Sequence, residues 1–121
     1  MNNMEDFDFV PYETSKKLIQ CGFDEECFAH YDDLGNLLLD KDYWKLDSHI
    51  PAPTTAQAKK WLRKEHDIDI AIFPVFVDYY KREYKVNIYA SCIGAPIILE
   101  YFNSYEKSEV YAINYVCNNL I

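Results

Sequence analysis

Three groups of side chains carry whatever chemistry this chain has. Lys59, Lys60, Arg63 and Lys64 stand close together in a 121-residue chain whose formal net charge is −8. Such a cluster can meet phosphate, a nucleotide, RNA or an acidic protein surface; its ordinary alternative is the solvated side of an amphipathic helix. Asp24, Glu25, Glu26, Asp32 and Asp33 make an opposite group. Those carboxylates can imitate a phosphate array and occupy a nucleic-acid-binding protein, or they merely solvate a pair of loops. The third group is aromatic. Eight tyrosines lie between residues 79 and 115, and Tyr111 and Tyr115 fall off the apolar stripe of a final helix. They are candidates for an aromatic interface, with self-association as its simplest form.

Nucleophilic and metal chemistry find less support. Cys21, Cys27, Cys92 and Cys117 show no CxxC pairing and read as small buried hydrophobes. Cys21, Cys27 and His30 are spaced C-x5-C-x2-H, which matches no zinc pattern. Cys92, in SCIGAP, is a nucleophile only if His30, His49 or His66 serves as its base. GxGxxG, GxxxxGKS, HExxH and GxSxG do not occur. The sequence therefore assigns no catalytic residue, no metal and no cofactor.

Composition narrows the class. Half of the residues are hydrophobic and 17% are aromatic, which argues for a packed domain rather than disorder. Residues 1–121 fit one domain able to bury its own core. The charge is uneven: residues 1–50 hold twelve acidic side chains against four lysines, while residues 51–121 hold eight against eight. An acidic first half repels nucleic-acid backbones, so direct duplex binding is not expected. The acidic start lacks the basic and apolar regions of a signal peptide, and no run of about 20 apolar residues occurs, so a cytoplasmic protein without a membrane segment is expected. Residues 1–11 are expected to be poorly ordered.

The elements that position these groups follow from local pattern. Residues 12–22 read as a helix capped by Thr14 or Ser15 and closed by Gly22. Residues 27–31 and 37–39 flank the turn-forming Asp32 to Asn36 and read as a hairpin, with His30 beside Phe28 on one face. Residues 40–53, with Pro51 and Pro53, read as a loop. Thr54 and Gln57 form a capping box for a second helix, on which Ala58, Trp61 and Leu62 share one side and the four basic residues share the other. Ile68, Ile70 and Ile72 switch the period to two, and Pro74 inside that run requires an edge strand or a bulge. A second hairpin follows through residues 78–83 into Tyr84, Val86, Ile88 and Ala90. Residues 97–102 supply a third strand, and Asn103 with Glu106 caps a last helix. The expected fold is α+β in the order αββαβββα: an antiparallel sheet of two hairpins and about five strands, with three helices.

Three segments, GFDEECFAHYDD (22–33), PAPTTAQAKKWLRKEH (51–66) and FNSYEKSEVYAI (102–113), lie in order over about 90 residues. Together they resemble a family of small uncharacterised proteins of gut Bacteroidota and of their phages and mobile elements. That resemblance brings no catalytic residues. It implies a cytoplasmic accessory protein of a phage or integrated element, which makes a host-directed, counter-defence inhibitor the leading expectation and a protein its expected partner. The alternatives are a small-ligand or nucleotide-sequestering protein, whose basic helix face would border a pocket, and a small enzyme of unknown chemistry.

Overall fold

A proline decides where the first helix begins. Pro11 holds extended backbone, and α1 (Tyr12–Gln20) starts at the next residue with no side-chain cap. The expected caps, Thr14 and Ser15, are instead buried inside the first turn, and the Thr14 hydroxyl donates to Asn114 Oδ1 at 2.9 Å. The other end follows expectation. Gly22 takes φ +103°, its N–H donates to Ile19 O at 3.0 Å, and the Phe23 N–H donates to Leu18 O at 2.9 Å. This is a Schellman closure, and its accompanying apolar contact joins Phe23 and Leu18 in the main core.

The computed structural model describes residues 9–39, 49–91 and 93–121. The expectations for residues 1–8, for the loop over 40–48 and for Cys92 lie outside those residues. Residues 9 and 10 correct the expected loose start: both are buried, Phe9 bridges Thr54, and the Val10 N–H donates to Pro53 O at 2.9 Å.

Where one sheet was expected, the described residues build two three-stranded antiparallel sheets in the order αβββαβββα. The first runs β2 (Leu37–Leu38), β1 (Ala29–Tyr31), β3 (Ile50–Ala52). β3 falls in the expected loop. It pairs His30 with Pro51 and Ala29 with Ala52 at an edge of the sheet, a position where proline is tolerated because one side of the strand needs no donor. A small core of Phe9, Ala29, Tyr31 and Ala52 lies here, pinned by the Tyr31 hydroxyl donating to Val10 O at 2.7 Å.

α2 (Thr55–His66) is capped as expected by Thr54, whose hydroxyl accepts the Gln57 N–H at 3.0 Å. Asp67 closes it with a left-handed φ of 57° and turns the chain straight into β4 (Ile68–Phe76). β4 pairs along its whole length with β5 (Arg82–Ala90), and β5 pairs in turn with β6 (Ile97–Ile98). The third strand is shorter than expected because it is bulged. Ile98 faces Asn87, but Phe102 rather than Tyr101 faces Tyr84, so one extra residue is accommodated between them. α3 (Tyr105–Asn119) is capped by Ser104, not Asn103, through the Lys107 N–H at 3.3 Å.

The main core gathers Leu18 and Phe23, Ala58, Trp61 and Leu62 of α2, Val86 and Ile88 of β5, and Ala112, Ile113 and Val116 of α3. One face of the β4–β6 sheet thus carries α2 and α3, while α1 packs against α3 and β3. No helix among the described residues is long and apolar enough to cross a membrane.

Candidate functional site

The four basic residues of α2 do not act as one face. Trp61 and Leu62 are buried, as the helical pattern requires, and Lys60, Arg63 and Lys64 are exposed. Lys59 instead turns toward α3, where its ammonium meets a Glu109 carboxylate oxygen at 2.7 Å, with side-chain exposures of only 20% and 8%. Burial alone would lower the Lys59 pKa. The Glu109 bond and charge, helped by Tyr105, outweigh that and hold the ammonium above its ordinary value. Lys59 is therefore an interhelical strut. Arg63 lies 3.9 Å from Asp69. Surface cavities of about 280, 450, 620 and 390 Å³ include none of the four basic residues in their linings, although the first is lined by Asp67 and Asp69 just past the end of α2.

The acidic group divides in a similar way. Asp32 accepts the N–H groups of Leu34 and Asn36, each at 2.9 Å, and the Asn36 amide at 3.2 Å. The Asn36 N–H leads these effects in holding the Asp32 carboxyl below its usual value, and the carboxylate is the linchpin of the β1–β2 turn. Glu25 and Glu26 stand over the start of α2. Gln57 Nε2 donates to Glu25 Oε1 at 3.3 Å and to Glu26 O at 3.1 Å, so this side chain ties the preceding loop down instead of completing a capping box. Glu25 also favours the positive end of the helix dipole. Asp24 and Asp33 remain exposed.

Among the described residues the histidines and cysteines meet in pairs or with other groups, not in one cluster. His30 stacks on His49 at 4.7 Å, and His66 meets the edge of Trp61 at 4.8 Å. Cys27 donates to Glu25 O at 3.5 Å while Cys21 reaches Cys117, so Cys21, Cys27 and His30 are not brought together. No group of three or more metal-ligating side chains forms among the described residues.

The aromatic candidates fare differently from each other. Tyr115 is half-buried against the main core. Tyr111 is 46% exposed, packs on Phe102 at 5.0 Å, and lines an apolar groove of about 450 Å³ with Phe9, Pro11 and Val110.

Among the described residues the most exposed aromatic surface lies elsewhere. Beyond Tyr84 the β4–β5 pair continues without β6, as a two-stranded ribbon whose turn spans residues 77–81. Phe76 is 71% exposed, Tyr79 96% and Tyr80 99%. The turn is locked locally: Asp78 Oδ1 accepts the Tyr80 N–H at 2.8 Å, and the Val77 N–H donates to Lys81 O at 3.0 Å. The sequence contained the signal. Two tyrosines placed at the centre of a tight turn after Asp78 have no core to enter.

β4 adds a free edge to this tip. Tyr84 exchanges both backbone bonds with Phe102, and Val86 O accepts the Leu99 N–H, so these β5 residues direct their peptide groups toward β6. Their β4 partners, Pro74 and Ile72, are consequently in non-bonded positions, with peptide groups pointing away from the sheet, and Ile70 and Ile68 share that parity. Pro74 thus sits where its missing donor costs the sheet nothing. Among the described residues no strand covers this edge. On the sheet face away from the helices, Phe73, Tyr89 and Ile98 are also exposed.

Comparison of the chain with family models, curated proteins and solved structures gives no match.

Proposed function

We propose that this chain is a non-enzymatic protein-binding module that grips its partner with the β4–β5 ribbon. The observation that supports this reading is the combination, on one ribbon, of an unpaired edge and the exposed rings of Phe76, Tyr79 and Tyr80. An open edge offers main-chain hydrogen bonds to an added strand, and tyrosine and phenylalanine are enriched where interfaces bury most of their energy. The resemblance to small proteins of gut Bacteroidota and their mobile elements points to a host protein in the cytoplasm as the partner and to a host-directed inhibitor as the role.

The test is native mass spectrometry of tagged protein drawn from a host-like lysate, run on the wild type and two variants. A stoichiometric protein held by the wild type and by Lys60→Glu/Arg63→Glu/Lys64→Glu, but lost from Tyr79→Ala/Tyr80→Ala, is the expected result. Retention by the tyrosine variant would overturn the ribbon as the gripping surface. A bound mass of nucleotide size, lost only on charge reversal, would replace this reading with the ligand-sequestering one.

A further inference from the structure

Away from the ribbon, the fold brings together two cysteines that are 96 residues apart in the chain. The Schellman turn after α1 delivers Cys21 to the last turns of α3, where its Sγ donates to Cys117 O at 3.7 Å. That contact sets the Cys21 thiol directly against residue 117 of α3. Cys117 is buried and Cys21 is half-buried, so a small solute reaches Cys21 first. Burial, and after it the Cys21 thiol, push the Cys117 thiol up to about 12, while Lys17 on the preceding turn of α1 pulls the other way. Cys27 is a contrast: burial, then Glu25 and Glu26, raise its thiol to about 12, and its Sγ points at the Glu25 carbonyl.

We propose that Cys21 and Cys117 are an oxidation-sensitive dithiol whose substrate is a small hydroperoxide and whose product is a disulfide joining the end of α1 to α3. The Cys21 sulfur, having lost its proton, attacks one peroxide oxygen; the O–O bond breaks, and the departing oxygen takes up the proton to leave as water or an alcohol. Cys21 is then a sulfenic acid. The Cys117 sulfur attacks that sulfur, the S–S bond forms, the S–O bond breaks, and the hydroxide leaves as water with the Cys117 proton. In sum the two thiols lose two electrons and two protons, and the peroxide is reduced. Reactivity follows exposure, which assigns attack to the half-buried Cys21 and resolution to the buried Cys117.

The experiment treats the folded, full-length chain with hydrogen peroxide in slight excess, followed by intact-mass measurement and peptide mapping without reductant. The expected result is loss of two hydrogen masses, a single linked peptide pair containing Cys21 and Cys117, a melting temperature raised by several degrees, and reversal by dithiothreitol. Cys21→Ser should abolish the linkage. Cys117→Ala should stop at a sulfenic acid that dimedone traps; should that variant fail to fold, the half-buried Cys21→Ser carries the test alone. A disulfide through Cys27 or Cys92, Cys21 overoxidised to sulfinic acid without linkage, or no change of mass while a free dithiol in the same tube is oxidised, would each overturn the proposal.

Discussion

The Lys59–Glu109 pair is the contact on which the reading of the basic helix turns, and its size can be worked out in advance. Glu109→Gln keeps the shape of the side chain and removes its charge, leaving an ammonium with only 20% side-chain exposure facing a neutral amide and the Tyr105 ring at 5.8 Å. Removing one partner of a buried pair costs about 3–5 kcal/mol, and the remaining exposure of Lys59 argues for the lower end, about 3 kcal/mol. With a urea dependence of about 1.5 kcal/mol/M, the unfolding midpoint should fall by about 2 M. Lys59→Met should cost at least as much, because it strands a carboxylate that is only 8% exposed. Lys59→Met/Glu109→Leu should recover to within about 1 kcal/mol of the wild type, since no charge is left without its partner. Lys59 holds its proton more tightly folded than unfolded. The stabilisation is therefore complete below the unfolded lysine value of about 10.4 and is lost as pH rises through the higher folded value. Urea titrations at pH 7 and above pH 10 read both effects. Single variants that each lose less than about 0.5 kcal/mol would refute the reasoning and return Lys59 to the solvated face with Lys60 and Lys64.

Three further outcomes are expected. Ser104→Ala should lower stability by about 1 kcal/mol while Asn103→Ala changes it by less than about 0.5 kcal/mol, in chemical denaturation, because only Ser104 caps α3. Gly22→Ala should cost about 1–2 kcal/mol in thermal melts through backbone strain alone, since nothing lies within 4 Å of the added methyl group at φ +103°. The Asp32 carboxylate binds its proton more weakly folded than unfolded, so its contribution to the β1–β2 turn is present above an unfolded value of about 3.9 and fades as pH falls through the lower folded one. The amide resonances of Leu34 and Asn36 should report that titration, and in Asp32→Asn they should not.

How much of this was legible in the sequence depended on whether a signal was local. The period-two run from Ile68, the helical stripe of Ala58, Trp61 and Leu62, and the Gly22 closure are written in neighbouring residues, and each appears where the pattern placed it. Pro74 likewise required an edge strand or a bulge, and among the described residues β4 is an edge. What failed was long-range. β3 is only three residues long and contains a proline, so its strand character comes from β1 lying beside it and not from its own propensity. Helical periodicity gave Lys59 a place on the basic arc but could not reveal Glu109, fifty residues away, reaching back for it. The helical stripe on α3 leaves Tyr115 outside it, whereas the main core takes Tyr115 in as a half-buried neighbour. The acidic loops were read by charge alone, whereas the Asp32 turn and the Gln57 tether depend on which donors the fold aims at them.

The parity of β4 imposes a time signature on its amide protons. Asp69, Ala71, Phe73 and Val75 direct their N–H groups into the ladder with β5, while Ile70, Ile72 and Phe76 direct theirs away from it, where no described strand lies. Deuterium uptake along the strand should accordingly run in a comb, slow and fast at every second residue, with the slow teeth shortening toward the tip, where a lone pair of strands opens most readily. A strand laid along this edge would turn the comb into an unbroken block of protection over residues 69–73, whereas a ligand gripping only the tyrosine tip would leave the alternation intact. The strand thus records which part of the ribbon has been taken.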